Sequence, residues 1–503
     1  MQMNVGAFLT KAAHLHPSKL ALIDGPVRLR YGEMNMQAAA FAAGLRRRGY
    51  QKGDRVALFM PNCAEFLVVI FGLFKGGFVA VPINAKLHSS ELGFILDHCG
   101  ARAVVFSKKS GALVDEALPD VRGVERVEID AEGPTSFWSI VQSGEPHVSE
   151  DADVAPDDAA WIFYTSGTTG RPKGATLSHR NLCASTMNAL ADVCDFQPED
   201  IVLHVAPLSH GSGIYALPSI ARGSTNLISQ GGNFNAAAVL RTIAREKVTI
   251  IAFLAPTMIH MLLEADGELQ VPTLRLAPYG GAPIDPGLAE QAILRFGPVF
   301  AQIYGQGEAP MTITALRPQD HQGKLLLSAG TVRTDVEVRL VDEEGVSVPV
   351  GGEGEICVRG EVVMRGYWND PEASANSLRD GWLHTGDIGR FEDGYLYLLS
   401  RMNDVIISGG SNIYPREVED VLMLHPSVRE VCVFGVSDAK WGESVFAAVV
   451  ALPSVSAQEL QDFCRQHIAS FKKPRNIAFL SELPKNAYGK IVRREVKAIL
   501  TDS

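Results

Sequence analysis

Cysteine is scarce. The 503-residue chain holds seven, at positions 63, 99, 183, 194, 357, 432 and 464, and no two form a CxxC pair. A disulfide framework or a zinc ribbon is therefore not expected, and buried free thiols are. Long hydrophobic runs are missing too. The longest, Phe66 to Phe74, stops at Lys75 and reaches about half of the ~20 residues that cross a bilayer, so no integral membrane segment is predicted. The first twenty residues lack a basic stretch followed by an apolar one, so no signal peptide is expected. An excess of positive charge is also absent, with 46 Lys+Arg against 57 Asp+Glu and a net charge of −11. That excludes a globally cationic surface for nucleic acid or anionic lipid, though not a local basic patch. Repeats of fixed period and low-complexity tracts are lacking. Together these absences predict a cytoplasmic protein with no nucleic-acid partner.

The composition that is present is globular: 46% hydrophobic and 20% charged residues. The length suggests two to four domains at ~150 residues each. The apolar runs Arg55–Met60 and Phe78–Ile83 flank Ala64–Phe74, which has helix length. That βαβ spacing predicts an α/β fold with a mainly parallel sheet covered by helices. Ala103–Phe106 and Thr249–Leu254 read as further buried strands.

The last hundred residues read as a separate small α+β unit. Val431–Val436 and Val445–Leu452 have strand character, and Ser456 with Glu459 signals a capping box opening a helix to about Ala469. Residues 401–503 carry thirteen basic and twelve acidic side chains, so the first 400 residues hold a net −12. Within 465–497 the count is nine basic to two acidic. A basic surface on an acidic protein suits a ligand with several phosphates.

The most informative stretch is Trp161–Gly174, WIFYTSGTTGRPKG. An apolar strand, Ala160–Tyr164, runs into Thr165, Ser166, Gly167, Thr168, Thr169 and Gly170, followed by Pro172, Lys173 and Gly174. Glycines let backbone N–H groups approach an anion, hydroxyls add donors and Lys173 adds a cation, so the loop reads as a phosphate cradle. It matches neither GxxxxGK[ST] nor GxGxxG, which argues against an ordinary P-loop and a dinucleotide fold.

This loop resembles the signature of the adenylate-forming enzymes, which include acyl- and aryl-CoA ligases, peptide-synthetase adenylation domains and firefly luciferase. Four further segments resemble that superfamily's motifs in order: Tyr304-Gly305-Gln306-Gly307-Glu308; Gly381-Trp382-Leu383-His384-Thr385-Gly386-Asp387; Ser400-Arg401-Met402-Asn403-Asp404 with Ser408-Gly409-Gly410; and Pro484 to Lys490, PKNAYGK. They span residues 165–490, and the chain is most like bacterial fatty-acyl- or aryl-CoA ligases. The resemblance implies a large multi-subdomain N-terminal domain, 1–401, and a small mobile C-terminal cap, 402–503, with a hinge near Asn403.

The implied chemistry joins a carboxylic acid to ATP, releasing pyrophosphate, and passes the acyl group from AMP to a thiol. Cations, N–H donors and Mg²⁺ offset the charge repulsion of the first step. By resemblance, Thr165, Ser166, Gly167, Thr168, Thr169 and Lys173 hold the β- and γ-phosphates. Glu308, with Thr165, takes Mg²⁺. Gly281, Ala282, Pro283, Tyr304 and Gly305 flank adenine, and Asp387 and Arg401 hold the ribose. Lys490 bridges the carboxylate and the α-phosphate, and His210 borders the carboxylate pocket. Gly409, Gly410, Trp441, Lys472 and Lys473 are implied for coenzyme A, with Arg475 beside them. Ser212, Phe253, Gly280 and Met311 would wall the acid pocket.

Two positions depart from the superfamily pattern. Gly307 stands where a threonine is usual, which removes one hydroxyl near the α-phosphate. Asn403 stands where Asp or Lys is usual in the hinge, and asparagine tolerates the turn conformations a swivel needs. The pocket residues carry no charge, which favours a neutral-tailed fatty or aromatic monocarboxylic acid, and the small residues at 211–213 suggest room. The leading expectation is a carboxylate–CoA ligase. A stand-alone enzyme that loads a carrier protein is the alternative, ahead of a luciferase-like monooxygenase or a non-catalytic nucleotide binder. A homodimer is compatible with the sequence but not specified by it.

Overall fold

The structure, a computed structural model, describes residues 3–501 except 119–120, 122, 145–150, 166–171, 230–233, 266–270, 409–410, 439–440 and 487–489. The strand alternation of the N-terminal half builds a six-stranded sheet. Its order is Glu125–Glu128, Ala103–Phe106, Arg55–Phe59, Val79–Pro82, Ala159–Thr165 and Lys173–Ser178. Every neighbouring pair is parallel except the last, where Thr165 pairs with Lys173 in an antiparallel hairpin. Along Arg55–Phe59, Val56 and Leu58 enter one hydrophobic core, and Ala57 and Phe59 enter another. A strand buried on both faces reads as one apolar run for this reason.

The apolar run that falls short of a membrane span is the helix Ala64–Gly76, buried along nearly all its length. Lys75 at its end is 2% exposed and reaches Asp151 at 2.6 Å. Among the described residues, no helix is long and apolar enough to cross a membrane.

A second sheet runs Ile250–Ile251, Ile201–His204, Thr225–Ile228, Leu20–Asp24 and Val27–Arg30, parallel until its last pair. The expected strand Thr249–Leu254 shrinks to Ile250–Ile251. The chain leaves this sheet there, and Leu254 bridges to Tyr279 of the next one. That third sheet is Ala277–Gly280, Phe300–Gln306, Ala309–Leu316 and Thr331–Val332. A fourth, wholly antiparallel, contains Glu337–Val341, Glu353–Arg359, Leu378–Arg379, Trp382–Glu392 and Tyr395–Arg401. The sheets are thus mixed, and "mainly parallel" holds for the first two only.

The C-terminal unit has its own sheet and its own core. Val428–Asp438 and Gly442–Ala451 form its long antiparallel pair, with Ile406–Ser408, Ser411–Ile413 and a parallel Asn476–Phe479. The helix Ala457–His467 is capped by the Ser456 hydroxyl, which accepts from the Glu459 N–H. Glu459 does not complete the box; its carboxylate lies 3.5 Å from His425 Nε2.

Candidate active site

Described residues of the motif segments gather around two carboxylates, Asp387 and Glu308. Asp387 sits on the strand Trp382–Glu392, directly opposite Arg401 in the antiparallel register with Tyr395–Arg401. Arg401 Nε lies 3.1 Å from Asp387 Oδ1. Tyr304, near the end of Phe300–Gln306, donates its hydroxyl to Asp387 Oδ2 at 2.7 Å, and the Gln306 amide donates to the same oxygen at 2.6 Å. Burial and the neighbouring carboxylate push the Tyr304 phenol well above its ordinary range, so it stays a donor. Both Asp387 oxygens therefore face donors, and vicinal hydroxyls would substitute for them.

Asp387 is held by a brace that the motifs did not reveal. Glu355 Oε1 accepts the Gly386 N–H at 3.0 Å, while Oε2 meets His384 Nδ1 at 2.7 Å and Arg379 at 3.3 Å. Gly386 has φ +69°, a conformation that favours glycine. Glu355, Cys357 and His384 place ligating atoms within 4.8 Å of one another. Burial pushes the Cys357 thiol up to about 11, and Glu355 is already engaged on both oxygens, so the group works as a hydrogen-bonded brace.

Glu308 lies in the turn between Phe300–Gln306 and Ala309–Leu316 and is 8% exposed. Tyr367 donates to its Oε1 at 2.6 Å, and the same Tyr367 ring lies 5.2 Å from Lys173 Nζ. Thr165 adjoins this turn, since a Cβ on Gly307 would fall 2.2 Å from its methyl group. Thr165, Lys173, Gly307, Glu308 and Tyr367 thus share one neighbourhood. A buried carboxylate beside a threonine is a hard-oxygen donor set of the kind Mg²⁺ takes. Ser166, Gly167, Thr168 and Thr169 lie outside the described residues, as do Gly409 and Gly410.

Lys490 comes from the C-terminal unit. Its backbone exchanges hydrogen bonds with Asn486. The residue is exposed, and its ammonium feels the charges of Arg401, Asp387, Arg493 and Asp404. Desolvation, with Arg401 second, lowers its pKa from the usual lysine range. Arg493 ties the small unit to the turn after Arg401, pairing with Asp404 and with Glu419 at 2.7 Å.

His210 precedes the helix Gly211–Ala221 and packs edge-on against Phe163 at 5.1 Å. Burial lowers its pKa to about 4, so it is neutral at pH 7. Gly211, Phe253 and Met311 converge beside it: a Cβ on Gly211 would lie 3.0 Å from the Phe253 ring and 3.1 Å from Met311 Sδ. Gly280 packs against Ile303, where a Cβ would meet the carbonyl at 2.3 Å. Gly281, with φ +80°, leads into Ala282 and Pro283 on the surface beyond that strand.

The structure corrects two expectations here. Ser212 does not wall an acid pocket: it is fully buried, and its hydroxyl meets His204 Nδ1 at 2.8 Å. The small residues at 211–213 do not make room either. A Cβ on Gly213 would fall 1.9 Å from the Leu208 carbonyl, so these positions serve close packing.

On the small unit, Arg475 stacks over Trp441 at 5.0 Å, and Lys473 is lowered by burial and by Arg465 and Arg475 nearby. The basic strip read from sequence is in part neutralised, because Lys472 pairs with Glu417 and Lys485 with Glu430, each at 2.6 Å.

A hairpin closed by Thr165 and Lys173, a tyrosine and an arginine on one buried carboxylate, and a lysine from a second unit fit the class of nucleotide-binding enzymes that adenylate a substrate. Residues 9–368 match the model of the AMP-binding enzyme family and residues 417–490 that of the AMP-binding enzyme C-terminal domain. The chain belongs to the AMP-binding enzyme family. It is 36% identical over 501 residues to a feruloyl-CoA synthase of Amycolatopsis, covering 98% of each chain. It is 35% identical to a long-chain-fatty-acid–CoA ligase of Mycobacterium tuberculosis, covering 97% of each. A fatty acid–[acyl-carrier-protein] ligase of Streptomyces coeruleorubidus is also 35% identical, over 97% of this chain and 94% of that one. Among solved structures, ATP-bound MatB from Rhodopseudomonas palustris superposes with a TM-score of 0.91 at 29% identity, covering 100% of this chain and 99% of that one.

Sequence reasoning missed Gln306, Tyr367, Glu355 and His384 as parts of the site. Gln306 and His384 lay inside the quoted motifs at positions the motifs leave unspecified. Tyr367 and Glu355 carried no local signal, since only tertiary pairing brings them in.

Proposed function

We propose that this chain is an ATP-dependent carboxylate–CoA ligase acting on a fatty or aromatic monocarboxylic acid. In the first step a carboxylate oxygen bonds to the α-phosphorus while the bond to the β-phosphate breaks and pyrophosphate leaves. In the second, a thiolate attacks the acyl carbon and AMP departs. The Asp387–Arg401 pair, whose charges act on Lys490 of the small unit, carries this reading: it supports a ribose site approached by a cation from the second unit.

Lys490 neutralises the carboxylate and the α-phosphate as they approach, its ammonium supplying the positive charge and the donors. Asp387 and Arg401 take the ribose hydroxyls, and Tyr304 with Gly281, Ala282 and Pro283 flanks adenine. Thr165 and Lys173 hold the terminal phosphates. Glu308 and Thr165 would hold Mg²⁺, which when bound supplies charge neutralisation on the phosphates. Neutral His210, with Phe253, Gly280 and Met311, borders the acid. Trp441 with Lys473 and Arg475 suits the pantetheine and nucleotide parts of CoA, and Asn403 is the swivel between residues 1–401 and 402–503. A cytoplasmic location suits an enzyme that uses ATP and CoA.

The carrier-protein reading has one specific support, the Streptomyces coeruleorubidus relative. The two readings separate when enzyme, Mg-ATP and a panel of fatty and aromatic acids are incubated with and without CoA, and AMP and acyl-CoA are followed. CoA-dependent acyl-CoA formation is expected. Acid-dependent pyrophosphate release with no CoA product across the panel would replace it with the carrier-protein reading.

A further inference from the structure

Behind the acid site lies a buried polar cluster that adenylation does not use. The helix Gly211–Ala221 carries Tyr215 four residues after Gly211, on the same face and one turn (~5.4 Å) deeper. Tyr215 is 2% exposed, and its hydroxyl meets the Arg333 guanidinium without a well-aligned hydrogen bond. Arg333, also 2% exposed, lies beside it. Its Nη1 donates to the Met311 carbonyl at 3.1 Å and its Nε is ion-paired with Asp192 at 3.5 Å, whereas Nη2 makes no well-aligned hydrogen bond. The Thr312 hydroxyl in the next residue, 2% exposed, is likewise without one. A buried polar group left incompletely bonded costs ~1–3 kcal/mol, so the Tyr215 and Thr312 hydroxyls and Arg333 Nη2 in one place, next to Met311 of the acid site, point to a ligand group that completes them.

Met311 links the two regions. Its side chain faces Gly211 and Phe253 in the acid site, and its backbone, at φ +61°, hands its carbonyl to Arg333. A non-glycine residue in that conformation is strained and persists where its surroundings over-determine it.

The charge balance selects the kind of group. Arg333 Nε is 3.5 Å from Asp192, which Arg317 and Thr334 also contact at 3.1 Å and at 2.7–2.8 Å. Asp335 adds a second carboxylate nearby. Two arginines against two carboxylates leave no net charge, so a further buried carboxylate would be uncompensated and costly. A neutral acceptor meets no such penalty.

We propose that the acid this enzyme activates carries a neutral hydrogen-bond acceptor (a phenolic, ether or ketone oxygen) at its far end, read by Arg333 and Tyr215. The proposal rests on the carboxylate–CoA ligase reading and narrows its substrate class. It replaces the uncharged pocket read from sequence with one whose deep end is polar.

The test compares acids of one skeleton: 3-phenylpropanoic acid with its 4-hydroxy and 4-carboxy analogues, and octanoic acid with 7-oxooctanoic acid. Acid-dependent pyrophosphate release is read as kcat/KM. The acceptor-bearing acid should be favoured at least tenfold in one pair or the other, with the 4-carboxy analogue poorer than the 4-hydroxy one. Tyr215→Phe, which removes only the hydroxyl, and Arg333→Lys, which keeps the charge toward Asp192, should each cut that ratio at least threefold. A purely structural role would lower both members of a pair equally and leave the ratio unmoved, and that result overturns the proposal. So does a wild type that favours the plain acids in both pairs. Pyrophosphate release with no acid at all in this panel would instead overturn the ligase reading, and this proposal with it.

Discussion

Gly307 departs from the superfamily pattern, and its neighbours show what takes the place of a side chain. A Cβ there would fall 2.2 Å from the Thr165 methyl and 3.0 Å from the Phe163 ring. Gly307→Thr should therefore lower adenylation even though it restores the usual residue. Overpacking of this kind costs ~1–3 kcal/mol, which is roughly a tenfold effect or more if it displaces Thr165. Initial rates of pyrophosphate release check this, and Gly307→Thr with Thr165→Ser should recover part of the loss. Full activity in the single variant would show that Thr165 yields without consequence. Lys490→Ala should lose adenylation by at least a hundredfold while converting supplied acyl-adenylate and CoA to acyl-CoA at a near-normal rate. Loss of both half-reactions would assign Lys490 a structural part instead.

At the scale of elements, the strand Glu353–Arg359 exists next to Trp382–Glu392 so that Glu355 can hold the turn that carries Asp387. Glu355→Gln keeps the shape but replaces an acceptor oxygen with a donor, facing either the Gly386 N–H or His384. The KM for ATP should rise several-fold with a smaller change in kcat, since the loss falls on positioning the ribose carboxylate. An unchanged KM would separate the brace from nucleotide binding. This pairing also explains what was legible in the sequence. Arg55–Phe59 and Ala103–Phe106 were readable because a strand buried on both faces is a continuous apolar run. The motif residues Tyr304, Asp387, Arg401 and Lys490 were readable because each sits in a short, distinctive pattern. Glu355 and Tyr367 were not, because their role comes from cross-strand and cross-sheet contacts that leave no local pattern. Ser212 was misread because a small polar residue beside glycines signals close packing and an open pocket equally well, and only the His204 contact decides between them. The span Thr249–Leu254 is apolar throughout, and apolarity alone does not show that the chain changes sheets at Ala252.

On the scale of the whole molecule, three buried histidines, His179, His204 and His210, have pKa values lowered to about 4 by burial, against an ordinary 6.5. Each is neutral in the folded chain while its unfolded counterpart takes up a proton below pH 6.5. Their contribution is thus fully present above pH 6.5 and is lost progressively as pH falls to about 4. The midpoint of thermal unfolding should drop steadily across that window, and a flat midpoint between pH 6.5 and 4.5 would contradict it. In the proposed mechanism the small unit swivels about Asn403 between the two steps, so Asn403→Pro should impair one half-reaction far more than the other. The most direct test of the central claim, that this site joins a carboxylate to AMP before any thiol is needed, is exchange of labelled pyrophosphate into ATP without CoA. The account predicts exchange that requires an acid, is abolished by Lys490→Ala and releases no ADP. Exchange independent of acid, absent until CoA is added, or replaced by ADP formation would contradict it.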